Sequence, residues 1–211
     1  MTYAADVVTL ARKDLLLEVR ARDTLPAMLL FVLSALAIFH FALPGGTSRL
    51  AALGLLWLAI VFTSLLGLTR AFVPEREEGV LDGLVLAPCD RSAIWLAKVV
   101  AVLVFLVLAE LVALPAFALF FSSVDGATVA AVGLADVGIC SVGAFVGAMA
   151  TATRARELLL PLLFLPLAIP VVVGGVGASA TGGVRYLLFL VLYDALFALL
   201  AWASFEYVVT E

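Results

Sequence analysis

"LAALGLLWLAIVFTSLLGLT", Leu50–Thr69, is a run of twenty residues without a charge, and close behind it comes "FVPEREEGVLDGLVLAP", Phe72–Pro88, with five charged residues between Pro74 and Asp82. Twenty helical residues at about 1.5 Å each match the roughly 30 Å hydrocarbon core of a bilayer. The first stretch therefore reads as a membrane-spanning helix, and the second as a segment that has left the membrane.

Working outward, the same alternation continues along the chain. Six apolar runs are expected to be spans: Leu25–Leu43, Leu50–Thr69, Ala93–Phe121, Ala127–Thr151, Leu158–Gly177 and Tyr186–Phe205. Hydrophobic residues make up 65% of the 211-residue chain, well above the roughly 45–50% of soluble domains. The expected fold is an all-α integral membrane protein in a single domain, 1–211, with no linker composition to suggest a second.

Orientation follows from the basic residues. With the N-terminus inside, Arg12, Lys13, Arg20, Arg22, Arg70, Arg76, Arg91, Lys98, Arg154 and Arg156 face the cytoplasm, and only Arg49 and Arg185 face outward. That asymmetry, with an even number of spans, gives an N-in/C-in topology. Leu25–Leu43 is too long for the core of a cleavable signal and is kept as the first span. Before it, Tyr3–Arg22 has helical composition, with Val7, Ala11, Leu15 and Val19 on one side and Asp6, Lys13 and Arg20 on another. A helix lying at the inner interface is expected, with a disordered tail as the alternative.

Three spans carry special features. The third, at 29 residues, exceeds the bilayer and either starts in the cytoplasm near Trp95 and Lys98 or kinks near Pro115. In the fourth, Gly143 and Gly147 form a GxxxG step, flanked by Ala144 and Ala148, for close helix contact within or between subunits. The fifth holds Pro161, Pro166 and Pro170 and is expected to be bent or broken, as a moving part or a static kink. The glycine-rich Gly174–Gly183 after it is read as a turn.

Several chemistries lack their residues. No GxxxxGK[ST] loop is available to cradle phosphates, so the chain is not a P-loop ATPase. No Ser/His/Asp set, HExxH or metal-spaced cluster occurs; no catalytic or metal-binding residue, firmly bound cofactor or nucleic-acid partner is expected. Cys89 and Cys140 offer no disulfide framework. Four ionisable residues lie in or at the ends of spans: His40, Glu110, Asp136 and Asp194. Intramembrane charge is costly, so these are candidates for a substrate path or gate, against the alternative of hydrogen-bonded packing residues. His40, near the outer end of the first span, is also a conceivable haem-iron ligand, though a lone interfacial histidine needs no ligand to explain it.

In Phe72–Pro88, Pro74 fits a first helical turn, with Glu75, Glu77 and Glu78 near the positive helix terminus. From Pro74 to about Leu86, Val80, Leu81, Leu84 and Val85 share one face, while Glu75, Arg76, Glu78 and Asp82 lie mostly away from it. This is an amphipathic cytoplasmic helix that can rest on lipid or dock into a partner's groove.

The pattern Phe72, Glu75, Gly79, Leu81, Leu84 and Pro88, with Lys98 ten residues on, resembles the ABC-2 type transporter permeases. "ARKDLLLEVR" before the first span and "LLLPLLFLPLAIPVVVGG" in the fifth resemble more narrowly the haem exporter protein B family of cytochrome c maturation. The resemblance implies a permease without its own ATPase. Its partners would be an ABC ATPase subunit that binds ATP, a second permease copy, the haem-handling membrane subunit and, less directly, the haem chaperone, in a prokaryotic inner membrane. Phe72, Glu75, Glu78, Gly79, Leu81, Leu84 and Pro88 would then belong to a coupling helix seated on the ATPase, with haem as the transported or handled cargo. Two other readings stay open: a non-transporting partner that uses ATP hydrolysis to release a haem-loaded chaperone, and a permease for a lipid or drug.

Overall fold

A computed structural model of the chain describes residues 3–43, 47–72, 89–151 and 156–210. Regular structure among the described residues is helical: α1 (Tyr3–Ala21), α2 (Thr24–Ala42), α3 (Arg49–Ala71), α4 (Arg91–Phe120), α5 (Gly126–Thr151), α6 (Arg156–Thr181) and α7 (Val184–Thr210). Each of α2 to α7 is long and apolar enough to cross a bilayer, so the chain is a multi-pass membrane protein.

Short connections join α1 to α2, α4 to α5 and α6 to α7, and caps account for several boundaries. Between α1 and α2, Arg22 adopts φ +59°, in the left-handed region, and its N–H donates to the Glu18 carbonyl at 3.0 Å. That geometry closes α1, and α2 begins two residues later. The α3 start is capped by Ser48, whose side chain accepts from the Ala51 N–H. Asp90 accepts from the Ser92 N–H at 2.9 Å and so starts α4 at Arg91, before Trp95 and Lys98. The resulting 30-residue α4 runs without a break past Pro115.

Packing is graded from centre to edge. Helix α5 sits among α3, α4, α6 and α7. By contrast, α2 buries one stripe, Thr24, Met28, Val32 and Leu36, each four residues from the last. The rest of its surface is left for lipid or another chain.

Small residues permit the close approaches. A Cβ on Gly143 would stand 2.7 Å from Leu68 Cδ2, and one on Gly147 2.7 Å from Phe72 Cδ2. The GxxxG step of α5 is therefore a seam with α3 inside the chain, which answers the question of which helix it receives.

The fifth span is unbroken, and its glycine-rich end is not the expected turn. Helix α6 is continuous through Pro161, Pro166 and Pro170 rather than broken. Beside this stretch the Tyr193 hydroxyl of α7 donates to the Leu167 carbonyl at 2.6 Å, a donor supplied by a neighbouring helix. Nor is Gly174–Gly183 a turn: the helix runs to Thr181, and only Gly182, at φ +64°, turns the chain, its N–H bonded to the Ala178 carbonyl at 2.8 Å. Gly174 and Gly175 lie within the helix, where Leu190 and Trp57 occupy the space a side chain would need. The Trp57 indole then donates to Ser179 Oγ at 3.3 Å and ties α3 to α6.

Candidate functional site

Helix α1 lies along the first turns of α4, and a buried ion pair joins the two. Val7, Ala11, Ala93 and Ala97 form a small apolar cluster between the two helices. The buried face of α1 is Val7, Ala11 and Asp14; Leu15 is half-buried and Val19 is exposed, so the stripe expected from the sequence drifts off after Ala11. Asp14 turns inward because Lys98 waits for it. Lys98 Nζ lies 3.1 Å from Asp14 Oδ2, and both residues are more than nine-tenths buried. Asp14 Oδ1 also meets Lys13 Nζ at 2.9 Å.

The same ammonium group donates to the Ala71 carbonyl at 2.8 Å and stands 5.4 Å from the centre of the Phe72 ring. Ala71 ends α3, and Phe72 is the last described residue before segment 73–88. Lys98 thus gathers three elements at one point: α1 through Asp14, the end of α3 through its terminal carbonyl, and its own helix α4. Such a carbonyl has no intrahelical partner, and a buried cation is a strong donor to it. Beside the pair, Asp14, Glu18, Thr24, Gly67, Ala71 and Lys98 line a cavity of about 20 Å³, room for a single water. The Thr24 hydroxyl donates to the Glu18 carboxylate. At the periphery, Arg70 reaches Asp23 at 4.0 Å and Arg91 reaches Glu206 at 3.6 Å.

Of the residues singled out from the sequence, Phe72 is buried at this junction, packed on Gly147. Glu75, Glu78, Gly79, Leu81, Leu84 and Pro88, and with them the amphipathic helix expected there, lie outside the described residues.

Three of the four polar candidates meet inside the bundle. Glu110 of α4, Asp136 of α5 and Asp194 of α7 are all buried. Asp136 neighbours both Glu110 and Asp194. Asp194 packs against Gly138, whose missing side chain makes room for it. Glu110 Oε1, both Asp136 oxygens and Asp194 Oδ1 have no hydrogen-bond partner among the described residues. A buried polar group without a partner costs about 1–3 kcal/mol, so these oxygens weigh against stability. His40 stands apart. It is exposed near the far end of α2, among Phe41, Phe120 and Phe121 at ring-centre distances of 5.2, 5.2 and 5.8 Å.

At the end of the bundle away from α1, Arg49 meets Asp125 at 2.9 Å. Asp125 also caps α5, accepting from the Thr128 N–H at 2.8 Å and its hydroxyl at 2.6 Å. These bonds, with a smaller contribution from Arg49, hold the Asp125 carboxyl below its ordinary range.

Sequence reasoning missed Asp14. Its only signal was position: seven residues after Val7 and three after Ala11, it shares their face. It also missed Tyr3, whose hydroxyl lies 3.2 Å from Ser92 Oγ and pins the start of α1, and the Trp95 indole, which donates to the Ser141 carbonyl at 3.2 Å and joins α4 to α5.

Residues 5–207 match the family model described as CcmB protein. Similar curated proteins are each named heme exporter protein B. The one from Bradyrhizobium diazoefficiens is 31% identical over 175 residues, 81% of this chain and 79% of that protein. Those from Paracoccus denitrificans and Pseudomonas aeruginosa are 32% identical, covering 81% and 80% of this chain and 80% and 78% of the relatives. The match runs from α1 through α7, taking in the Lys98 junction and the acidic triad alike, and the chain belongs to the CcmB protein family.

Proposed function

We propose that this chain is the permease subunit of an ABC transporter complex that exports haem for cytochrome c maturation, powered by a separate ATPase subunit. The observation that carries the reading is the family match along nearly the whole chain, to relatives named as haem exporters. The geometry supports it. Segment 73–88 connects Phe72, at the end of α3, with Cys89, just before α4, and Lys98 of α4 is bonded to the last carbonyl of α3. A partner pressing on that segment would push directly on α3 and α4. Glu75, Glu78, Gly79, Leu81, Leu84 and Pro88 form the coupling helix, and α1 lies on the cytoplasmic side of a prokaryotic inner membrane. The sparsely packed α2 leaves lateral surface for a second copy of the chain and for the haem-handling membrane subunit.

The test is purification with the candidate ATPase and reconstitution into sealed vesicles. A stable complex of two permeases and two ATPases, with haem accumulating in the lumen on ATP addition, is the expected result. Release of a haem-loaded chaperone with no luminal haem would replace export by the non-transporting reading. Gly79→Asp and Leu81→Asp should insert normally and lose coupling between ATP hydrolysis and cytochrome c assembly.

A further inference from the structure

We propose that Glu110, Asp136 and Asp194 form a proton-binding site inside the bundle, which exchanges its protons with the water at the Asp125 end of the molecule. The inference does not depend on what the chain carries.

The first observation is level. Glu110 lies ten residues from Phe120, Asp136 ten from Gly126 and Asp194 ten from Val184. At about 1.5 Å per residue, the three acids stand about 15 Å in from the same end of the bundle, the end that holds the Arg49–Asp125 pair. Three helices thus bring one acid each to one depth, with Asp136 next to both others.

The second is what the acids lack. Glu110, Asp136 and Asp194 are 6%, 1% and 7% exposed, and four of their oxygens, both of Asp136 among them, have no hydrogen-bond partner among the described residues. Asp194 is aimed into the cluster, because its Oδ1 fills the place of a side chain on Gly138, two residues from Asp136.

The third is that every described cation on the surrounding helices stands elsewhere. Leu50–Thr69 of α3 and Leu158–Thr181 of α6 hold no ionisable residue. At the ends of α3, Arg49 meets Asp125 and Arg70 reaches Asp23. On α4, Lys98 is twelve residues before Glu110, about 18 Å along the axis, and is bonded to Asp14; Arg91, further still, reaches Glu206 of α7. Arg185 is nine residues before Asp194, with its guanidinium over the Tyr186 ring. His40 of α2 stands beside Phe120 and Phe121 at the far end of α4. The other titratable groups near the acids, Cys140 of α5 and Tyr193 of α7, bring no positive charge.

A buried carboxylate with no cation beside it is far costlier than the neutral acid, so such a group takes up a proton. Protons here stand where counter-ions would. No group of His, Cys, Asp and Glu among the described residues is placed to hold a metal ion instead. The shorter way out for a proton leads to the Asp125 end, about 15 Å from Glu110 against about 28 Å to Arg91. Ser122 Oγ, buried and without a partner among the described residues, lies on that side, whereas towards α1 the buried face of α4 is Val102, Phe105, Leu106 and Ala109. The chemistry is confined to one O–H bond: the carboxylic acid gives its proton to water at that end and takes one back.

The test places the full chain in sealed phosphatidylethanolamine–phosphatidylglycerol vesicles, with orientation fixed by protease access to α1 and pH set separately on the two sides. The probe is dicyclohexylcarbodiimide, which enters the membrane and reacts with protonated carboxyls; mass spectrometry locates the label, and infrared spectra read the carbonyl stretch of the neutral acid. At neutral pH at least one of the three acids should be labelled and the acid band present. Raising the pH on the Asp125 side should then lower labelling by about tenfold per pH unit once the acids titrate, and the same change on the α1 side should leave it unaltered. Asp136→Asn should shift the pH at which Glu110 and Asp194 lose their label, while Cys140→Ala should not. Absence of both label and acid band at neutral pH overturns the site. Labelling indifferent to pH on either side, or following the α1 side alone, overturns the exchange. If Asp136→Asn fails to insert, the sidedness of the wild-type chain decides alone.

Discussion

Phe72 and Gly147 interlock: the ring at the end of α3 occupies the space where a side chain on α5 would stand. Gly147→Ala should therefore destabilise the solubilised protein by about 1–3 kcal/mol, the cost of overpacking. Thermal unfolding in detergent measures it, and Phe72→Leu on the same background should recover part of the loss. Equal stability of Gly147→Ala and wild type would mean that the two helices are not held this close.

A second seam joins α3 to α6 through Trp57 and Ser179. Ser179→Ala should cost about 1 kcal/mol, the net worth of one buried hydrogen bond. Gly175→Ala should cost more, because the Trp57 ring is buried and has no empty space to move into. If the order of the two effects is reversed, the polar bond and not the fit sets the α3–α6 contact.

The acidic triad offers a stability–activity test. Asp136→Val removes two buried, unpartnered oxygens and should raise thermal stability by about 1–3 kcal/mol. Glu110→Gln should lower cytochrome c maturation by about tenfold, or about 1.4 kcal/mol in the rate-limiting step, with the fold retained. A stability loss in Asp136→Val together with full activity of Glu110→Gln would make the triad a structural element.

At the far end of the bundle, the lowered Asp125 carboxyl sets a pH dependence. Because its folded value lies below the unfolded one, its stabilisation is fully present above the unfolded value, roughly pH 4, and disappears as pH falls through the folded value. Asp125→Ala should cost about 0.5–2 kcal/mol near neutrality, mainly as a lost helix cap. The difference from wild type should narrow progressively in acid below about pH 4. A constant difference down to the lowest accessible pH would show that the carboxylate charge plays no part.

Much of this architecture was legible in the sequence, for identifiable reasons. Bilayer thickness fixes span length so firmly that apolar run length alone located α2 to α7 and cap residues merely adjusted their ends. The misread glycines show the opposite case. In water Gly174–Gly183 would mark a turn, but inside a membrane bundle glycines serve close packing, and nothing local says that Trp57 and Leu190 come to fill them. Asp14 was opaque for the same reason. Helical periodicity puts it on the buried face, yet an acid there looks like an error until a lysine 84 positions later supplies the counter-charge. Glu110, Asp136 and Asp194 were legible one by one as buried polar residues; their meeting depended on three helices whose packing order no local pattern encodes.

The span of sequence between Asp14 and Lys98 also bears on how the protein is made. Synthesis releases α1 long before α4, so the first helix must wait at the membrane surface, its acid unmatched, while two spans are threaded. It can dock only if the third span then enters with Lys98 on the same side of the membrane as α1. An inverted insertion leaves both charges stranded on opposite faces, unable to bury. Closure of the N-terminal helix on α4 therefore requires α1 and the start of α4 to lie on one side of the membrane.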